Sequence, residues 1–473
     1  MIEKIKVKET RFNAFEMHAR FPFKYGIASM TELPHLFVTV TLETSNGAVQ
    51  GIASEGLPPK WFTKNPSTTF AEDLPAFGAI INHAADIVLS MDAMPSYFAL
   101  WRDLYREQES WAQRTGHPPL HAHLGTSLME RAILDALCRQ AKKPLHELVR
   151  KNALGLNFGE FRKELNGLAP RDVFTKPPAD HLMCRHTVGL GDSLNEEDEG
   201  DAPADGLPFT LMECIRQYGL SYFKIKLCGD QSIDLPRLRR IAKVLDEGIP
   251  NDTYYITLDG NEQFKSIAAF RENWQELVSD PALARFFSRL LMVEQPLHRD
   301  IALTETVKEA LQEWGDRPKI IIDESDASLE SLPTALALGY SGTSHKNCKG
   351  IVKGLVNAAL LSRRNNSILS GEDLSNVGPI ALLQDLALMG LLGIGHVERN
   401  GHHYFKGLSM YPKSVQDRVL AAHGDLYSKH EGGFPSLRID SGRLAIGSVN
   451  KSGFGYGIEF DPSEFDTPGS WFS

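Results

Sequence analysis

In residues 1 to about 50, apolar and polar positions alternate with the two-residue period of strands. Leu36-Phe37-Val38-Thr39-Val40-Thr41-Leu42 is rich in β-branched residues and runs towards Ser45-Asn46-Gly47, a turn signal, so a hairpin is expected. From roughly 70 to 150 apolar residues recur three and four apart, as in Leu128-Met129-Glu130-Arg131-Ala132-Ile133-Leu134-Asp135-Ala136-Leu137, the period of a helix. Strands followed by helices imply an α+β domain over residues 1–150. Past residue 180 the pattern changes again, to short, mostly apolar runs at 222–226, 255–259, 291–294, 320–323, 343–346, 368–372 and 394–398, each closed by a charged residue and followed by a helical stretch. The closing residues are 23 to 35 positions apart, the length of one strand, one helix and their loops. With a further run near 184–189, eight such units predict a closed parallel β/α barrel over residues 180–420. The closing residues then lie at the strands' C-terminal ends, where barrels carry their active sites. No Gly-x-Gly-x-x-Gly turn follows any run, which disfavours an open doubly wound sheet.

Composition narrows the setting. With 473 residues, 42% of them apolar, and 50 Lys+Arg against 60 Asp+Glu, the chain is neither membrane-spanning, collagenous nor disordered. Its net charge of −10, without a basic stripe, makes nucleic acid an unexpected partner. Cys138, Cys184, Cys214, Cys228 and Cys348 are odd in number and scattered, with no Cys-x-x-Cys pair, as reduced thiols in a cytoplasmic protein would be. Residues 1–7 alternate like a strand and lack the apolar core of an export signal. The longest apolar stretch, 380–395, contains Gln384 and Asp385 and is too short to cross a bilayer. Glu196, Glu197, Asp198, Glu199 and Asp201 form an acidic run, read as a solvated loop.

The strand ends carry the candidate chemistry. Asp259, Glu294 and Asp323 close three consecutive barrel strands, and three carboxylates gathered without compensation repel and are costly to desolvate, so a cation is the expected resident. Hard oxygen ligands favour Mg²⁺. Lys224 and Lys226, two apart on one strand, leave the same face and must enter the barrel interior, where each amine is expected to lower the other's proton affinity. Counting the run near 184–189 as the first strand, Lys346 closes the sixth, across the barrel, with Lys349 as a competing candidate.

The order Lys-x-Lys, Asp-x-Asn (Asp259, Asn261), Glu-Gln-Pro (Glu294-Gln295-Pro296), Asp-Glu-Ser (Asp323-Glu324-Ser325) and then Lys resembles the enolase superfamily, and within it the muconate lactonizing enzyme group of the mandelate racemase/muconate lactonizing enzyme branch. Glu130-Arg131-Ala132-Ile133-Leu134-Asp135-Ala136 is similar to that family's last cap helix. The stretch from Asp440-Ser441-Gly442-Arg443-Leu444 to Gly453-Phe454-Gly455 is similar to its C-terminal return, so residues 421–473 are expected to complete the capping domain. The resemblance implies a modified TIM barrel holding Mg²⁺ on Asp259, Glu294 and Asp323, and a small-molecule carboxylate substrate on the metal. Lys226 would be the acid/base beside the α-carbon, Lys224 the electrostatic partner of the carboxylate, Lys346 the opposite acid/base or a cation stabilising the enolate, and Asn261 and Glu324 supports behind the ligands. Proton abstraction α to the carboxylate through a metal-stabilised enolate would lead to cycloisomerisation, epimerisation or a dehydration of the succinylbenzoate-synthase type. A homo-oligomer is expected.

The chain also departs from that pattern. His345-Lys346-Asn347-Cys348-Lys349-Gly350 stands where the family has Gly-Gly after the lysine, and the seventh of these strands ends Ser370-Gly371-Glu372-Asp373 without the histidine of mandelate racemases. His402 and His403 are adjacent, not four apart, so a second metal is not expected. Phe21-Pro22-Phe23-Lys24-Tyr25-Gly26 and Glu55-Gly56-Leu57-Pro58-Pro59-Lys60-Trp61-Phe62 are expected loops over the substrate, with Tyr25, Lys60, Trp61, Glu398 and His402 as candidate contacts. Two rival readings are a metal-independent glycoside hydrolase using Glu294 and Glu398, and a catalytically silent barrel that only binds.

Overall fold

The computed structural model describes residues 4–44, 47–198, 202–251 and 253–472. Its N-terminal part is a three-stranded antiparallel sheet, β1 (Lys6–Tyr25), β2 (Ala28–Thr44) and β3 (Gly47–Gly56), in that order. The expected hairpin is the pair of β2 and β3, in register from His35–Gly56 to Thr44–Gly47. Ser45 and Asn46 of the expected turn lie outside the described residues, as do Glu199 and Asp201 of the acidic run and Met1 to Glu3 of the expected N-terminal strand pattern. The two expected cap loops are partly strand: Phe21 to Tyr25 end β1, and Glu55 and Gly56 end β3, so the loop proper begins at Leu57.

Three helices follow, α1 (Phe70–Ser90), α2 (Tyr97–Thr115) and α3 (Pro119–Ala141); α1 and α3 pack on this sheet and α2 packs on both of them. Thr69 and Glu72 close a capping box at the start of α1, and Pro119, lacking an N–H that would go unpaired, opens α3. α3 is buried nearly all round because β3 touches one side and the barrel another. A side chain at Gly51 would come within 2.1 Å of the Ala132 carbonyl, so only glycine lets β3 lie this close to α3. The polar residues of α3 are anchors: Arg131 donates to Glu55 (2.8 Å) and the Ser54 carbonyl (3.0 Å), Asp135 accepts from the Ile52 amide (2.9 Å), and Glu130 accepts from the Ile351 and Val352 amides.

The barrel consists of β4 (His181–Val188), β5 (Tyr222–Lys226), β6 (Tyr255–Asp259), β7 (Leu290–Glu294), β8 (Ile320–Ile322), β9 (Gly342–His345), β10 (Ile368–Gly371) and β11 (His396–Arg399). Each is parallel to the next, and β11 pairs with β4 to close the ring. The chain then returns to the first sheet, as expected: the Ala14 amide donates to the Asp466 carbonyl (2.8 Å), Asn82 to the Phe472 carbonyl (2.6 Å), and Phe12 packs on Phe472. The architecture is therefore a closed parallel β/α barrel with an α+β capping domain completed by the C-terminal segment.

All the described cysteines are free. No helix among the described residues is long and apolar enough to cross a membrane; the apolar stretch around Gln384 is a buried helix, Ala381–Leu392.

Candidate active site

Parallel strands in a closed ring send alternate side chains inward. On β5 these are Lys224 and Lys226, and at the mouth they meet the carboxylates that end the neighbouring strands. Lys226 Nζ lies 2.6 Å from Asp259 Oδ2. Lys224 Nζ is enclosed by Asp259 Oδ2 (3.0 Å), Glu294 Oε1 (2.9 Å), Glu372 Oε2 (2.6 Å) and Glu398 Oε2 (3.0 Å). Four strands away, Lys346 Nζ contacts both oxygens of Asp323 (2.9 and 2.8 Å) and lies 3.8 Å from Glu294. Lys349 also reaches Asp323 (2.7 Å) but from behind, with its amine on Ser344 Oγ (2.7 Å).

The cavity at this mouth is lined by Lys224, Lys226, Asp323, Lys346 and Glu398 from the barrel, with Asp373, Ser375 and Asn400 on the next loops. Phe23, Tyr25, Pro58 and Trp61 of the cap cover it. Lys346, and not Lys349, faces it. Trp61 sits over the Lys346 amine, 5.3 Å from ring centroid to Nζ, a cation–π geometry. Tyr25 contributes its ring, since its hydroxyl is bound to the Pro59 carbonyl (2.8 Å). Two of the expected contacts are not brought here. Lys60 is held at the start of α1 by Thr68 Oγ1 (2.7 Å) and Asp73 (2.6 Å), and His402 is buried on the far side of β4, 3.1 Å from His186 Nδ1.

The loop that carries Trp61 is fixed to the barrel through the turns after β6 and β7. Asn261, Glu262 and Gln295 all have positive φ, backbone strain of the sort that ordered surroundings must hold. Glu262 binds Arg299 (2.7 and 2.8 Å), and Arg299 donates to the carbonyls of Trp61 (2.9 Å) and Phe62 (2.8 Å). Lys64 bridges from the cap to Glu262 (2.8 Å). Asn261 and Glu324 lie beside the acids. The Asn261 amide donates to Asp259 Oδ1 (2.9 Å), and its side chain donates to Glu324 (3.3 Å). Gln295 accepts from the Asp323 amide (2.8 Å) and fixes that strand end.

The electrostatics differ from the expectation for Lys224. Burial disfavours its charge, and the carboxylates of Asp259, Glu294, Glu372 and Glu398 outweigh that effect and hold the ammonium well above the usual lysine range. Burial and Asp323 act in the same opposed way on Lys346, with the same upward result. Asp323, despite burial, is drawn well below the carboxylate range by Lys346 and Lys349. Glu294 goes the other way: burial and the nearby Glu372 push it well above, against the pull of Lys224. The reason is that Asp259, Glu294, Asp323, Glu372 and Glu398 face Arg185, Lys224, Lys226, Lys346 and Lys349, a balance the sequence argument lacked. Arg185 enters from β4 and donates to Glu372, Gly371 and Ser370. Its inward position was open to inference from the alternation along β4, and Glu372 is itself a strand-closing residue.

A divalent cation is therefore not required to balance the acids. The donor set still suits one: three buried carboxylates of hard oxygen stand on consecutive strands. Ammonium groups cover those oxygens in this arrangement, so an ion would bind by displacing lysine contacts.

No protein-family model matches the chain, and no curated protein matches it by sequence. Solved structures do. A mandelate racemase/muconate lactonizing protein from Herpetosiphon aurantiacus is 18% identical, with 96% of this chain and 99% of that one covered at a TM-score of 0.61. The 2-chloromuconate cycloisomerase from Rhodococcus opacus 1CP is 14% identical, covering 98% and 100% at 0.60. An enolase from Bradyrhizobium, complexed with magnesium and mandelic acid, is 15% identical, covering 94% of each at 0.58. At such identities the likeness speaks for the fold, and the fold of this chain is that of the mandelate racemase and muconate lactonizing enzyme structures of the enolase superfamily.

Proposed function

We propose that the protein is a Mg²⁺-dependent enzyme that removes the proton α to a substrate carboxylate and then isomerises or eliminates. The observation that carries this reading is that Lys226 and Lys346, from strands on opposite sides of the ring, line one cavity with Asp323 between cap and barrel. Asp259, Glu294 and Asp323 would hold the Mg²⁺, which would supply positive charge beside the substrate carboxylate. Lys226 takes or returns the α-proton on one face and Lys346 faces the other, an arrangement suited to epimerisation, to cycloisomerisation or, with one amine acting twice, to syn elimination. Lys224 supplies a fixed cation where negative charge develops. Each lysine acts as a base only when its amine is free of Asp259 or Asp323, so engaging those carboxylates elsewhere and freeing the base are one event. Trp61, Phe23 and Tyr25 exclude water from the covered cavity. The fold's neighbours include a cycloisomerase and a complex with mandelic acid, which supports a small carboxylate as substrate.

The test is exchange of α-protons for solvent deuterium across a library of carboxylic acids with Mg²⁺ present. Exchange in at least one acid is expected, lost in Lys226→Ala and on chelation of the metal, with Asp259→Asn no longer stabilised by Mg²⁺. Exchange that survives Lys226→Ala would remove the base assignment. A silent, ligand-binding barrel is the second reading, favoured by the ion-pair balance of the mouth. It predicts no exchange in any acid and no rise in Tm with Mg²⁺. The hydrolase reading is disfavoured because Glu294, unlike Glu398, does not reach the cavity.

A further inference from the structure

Arg185 and Thr187 point into the barrel, so His186 between them points outward, against the surrounding helices. There it meets Cys214, on the helix Leu211–Tyr218, and His403, in the short helix Gly401–Tyr404. One ligand atom from each of the three lies within 4.8 Å of the other two, and all three side chains are buried. Cys214 Sγ is 3.7 Å from His403 Nδ1. Zinc bonds of about 2.3 Å to sulfur and about 2.05 Å to nitrogen at a tetrahedral angle separate those atoms by about 3.6 Å.

The outer nitrogens have partners of the kind that orient ligating histidines. His403 Nε2 faces Asp192 Oδ2 at 3.8 Å, and His186 Nδ1 is 3.1 Å from His402 Nε2. Asp192 Oδ1 and His402 Nδ1 are buried and unpaired, so the cluster carries polar capacity that its own contacts leave unused. The adjacency of His402 and His403 argues against those two as a metal pair, and the cluster uses only His403 of them.

We propose that His186, Cys214 and His403 bind a tetrahedral ion of borderline or soft character, Zn²⁺ first among them, with water in the fourth position. The Cys214 S–H bond breaks as the sulfur–metal bond forms, and the proton leaves to solvent. The site is chemically unlike the all-carboxylate set at the barrel mouth, which suits a hard ion. It would fasten β4, the helix after it and the segment after β11 beneath the cap edge, where Arg20 donates to the His403 carbonyl (2.6 Å) and Phe21 packs on the His403 ring (4.9 Å).

Cobalt titration of the reduced, metal-free full chain tests this. One equivalent of Co²⁺ is expected to give thiolate-to-cobalt charge-transfer absorption in the near ultraviolet, displaced by Zn²⁺. Cys214→Ser should abolish the band, while Cys228→Ser and Asp259→Asn keep it, the latter separating this site from the barrel mouth. Zn²⁺ should raise the Tm of the wild type and not of Cys214→Ser. No thiolate band in the folded wild type, or a band that survives Cys214→Ser, would overturn the proposal; the wild-type arm decides even if the variant fails to fold.

Discussion

The Nζ of Lys346 lies 2.9 and 2.8 Å from the two carboxylate oxygens of Asp323, joining the ends of adjacent barrel strands by a buried ion pair. Removing one member of such a pair leaves an uncompensated charge away from water, which costs more than the pair itself contributes. Here two charges would be stranded, because Lys349 binds the same carboxylate. Asp323→Asn is therefore expected to lower the unfolding free energy of the metal-free protein by about 3–5 kcal/mol. Urea unfolding in the presence of a chelator measures it, and an unchanged midpoint would mean that the acid is not paired as described.

Glu372 receives both Arg185 and Lys224. Glu372→Gln keeps the shape and removes the charge, and is expected to destabilise by about 3 kcal/mol. Since Arg185 and Glu372 act through one contact, the double substitution Glu372→Gln/Arg185→Gln should cost less than the two single ones added together. Additive losses in a double-mutant cycle would show that the contact contributes nothing.

How far the sequence discloses this site depends on which residues announce themselves by position. Lys226, Asp259, Glu294 and Asp323 each close or directly follow a short, mostly apolar run, Lys346 follows the more polar strand Gly342–His345, and the strands put all five at one mouth. Arg185 is marked less clearly: it lies inside β4, where alternation can turn it inward, but only the pairing of β4 with β5 and β11 brings it to Glu372. Charge balance was illegible for the same reason, since it depends on which cations converge from distant strands and not on any local pattern. The cap contacts failed differently. Lys60 and Trp61 are neighbours in one loop, yet the loop turns Trp61 over Lys346 and Lys60 back to Asp73.

Trp61 gives a prediction on activity. Its ring covers the Lys346 amine and one side of the cavity, and its loop is pinned by Arg299. Trp61→Ala removes a cation–π contact of about 0.5–2 kcal/mol, so kcat/KM for any substrate found by the exchange screen should fall roughly 2- to 30-fold, while Lys60→Ala, outside the cavity, leaves it near the wild-type value. Equal losses in both variants would mean that the loop acts only through its packing.

Glu130 makes a prediction on pH. It is fully buried, and burial pushes its carboxyl from an ordinary 4.5 up to about 7, partly opposed by the Ile351 and Val352 amides that it accepts from. A carboxyl whose folded value is raised binds its proton more tightly in the native state than in the unfolded chain. Its contribution is therefore most favourable below about 4.5 and declines as pH rises to about 7, above which the loss is complete. The gap corresponds to about 3 kcal/mol. Glu130→Gln carries no titrating group, so the stability difference, wild type minus variant, should shrink by about that amount between pH 4.5 and pH 7.5. Urea unfolding at the two pH values reads it directly, and a difference that stays constant or grows with pH would show that Glu130 is ionised in the native protein throughout, with the two amides at the start of the Ile351–Ser362 helix more than repaying its desolvation.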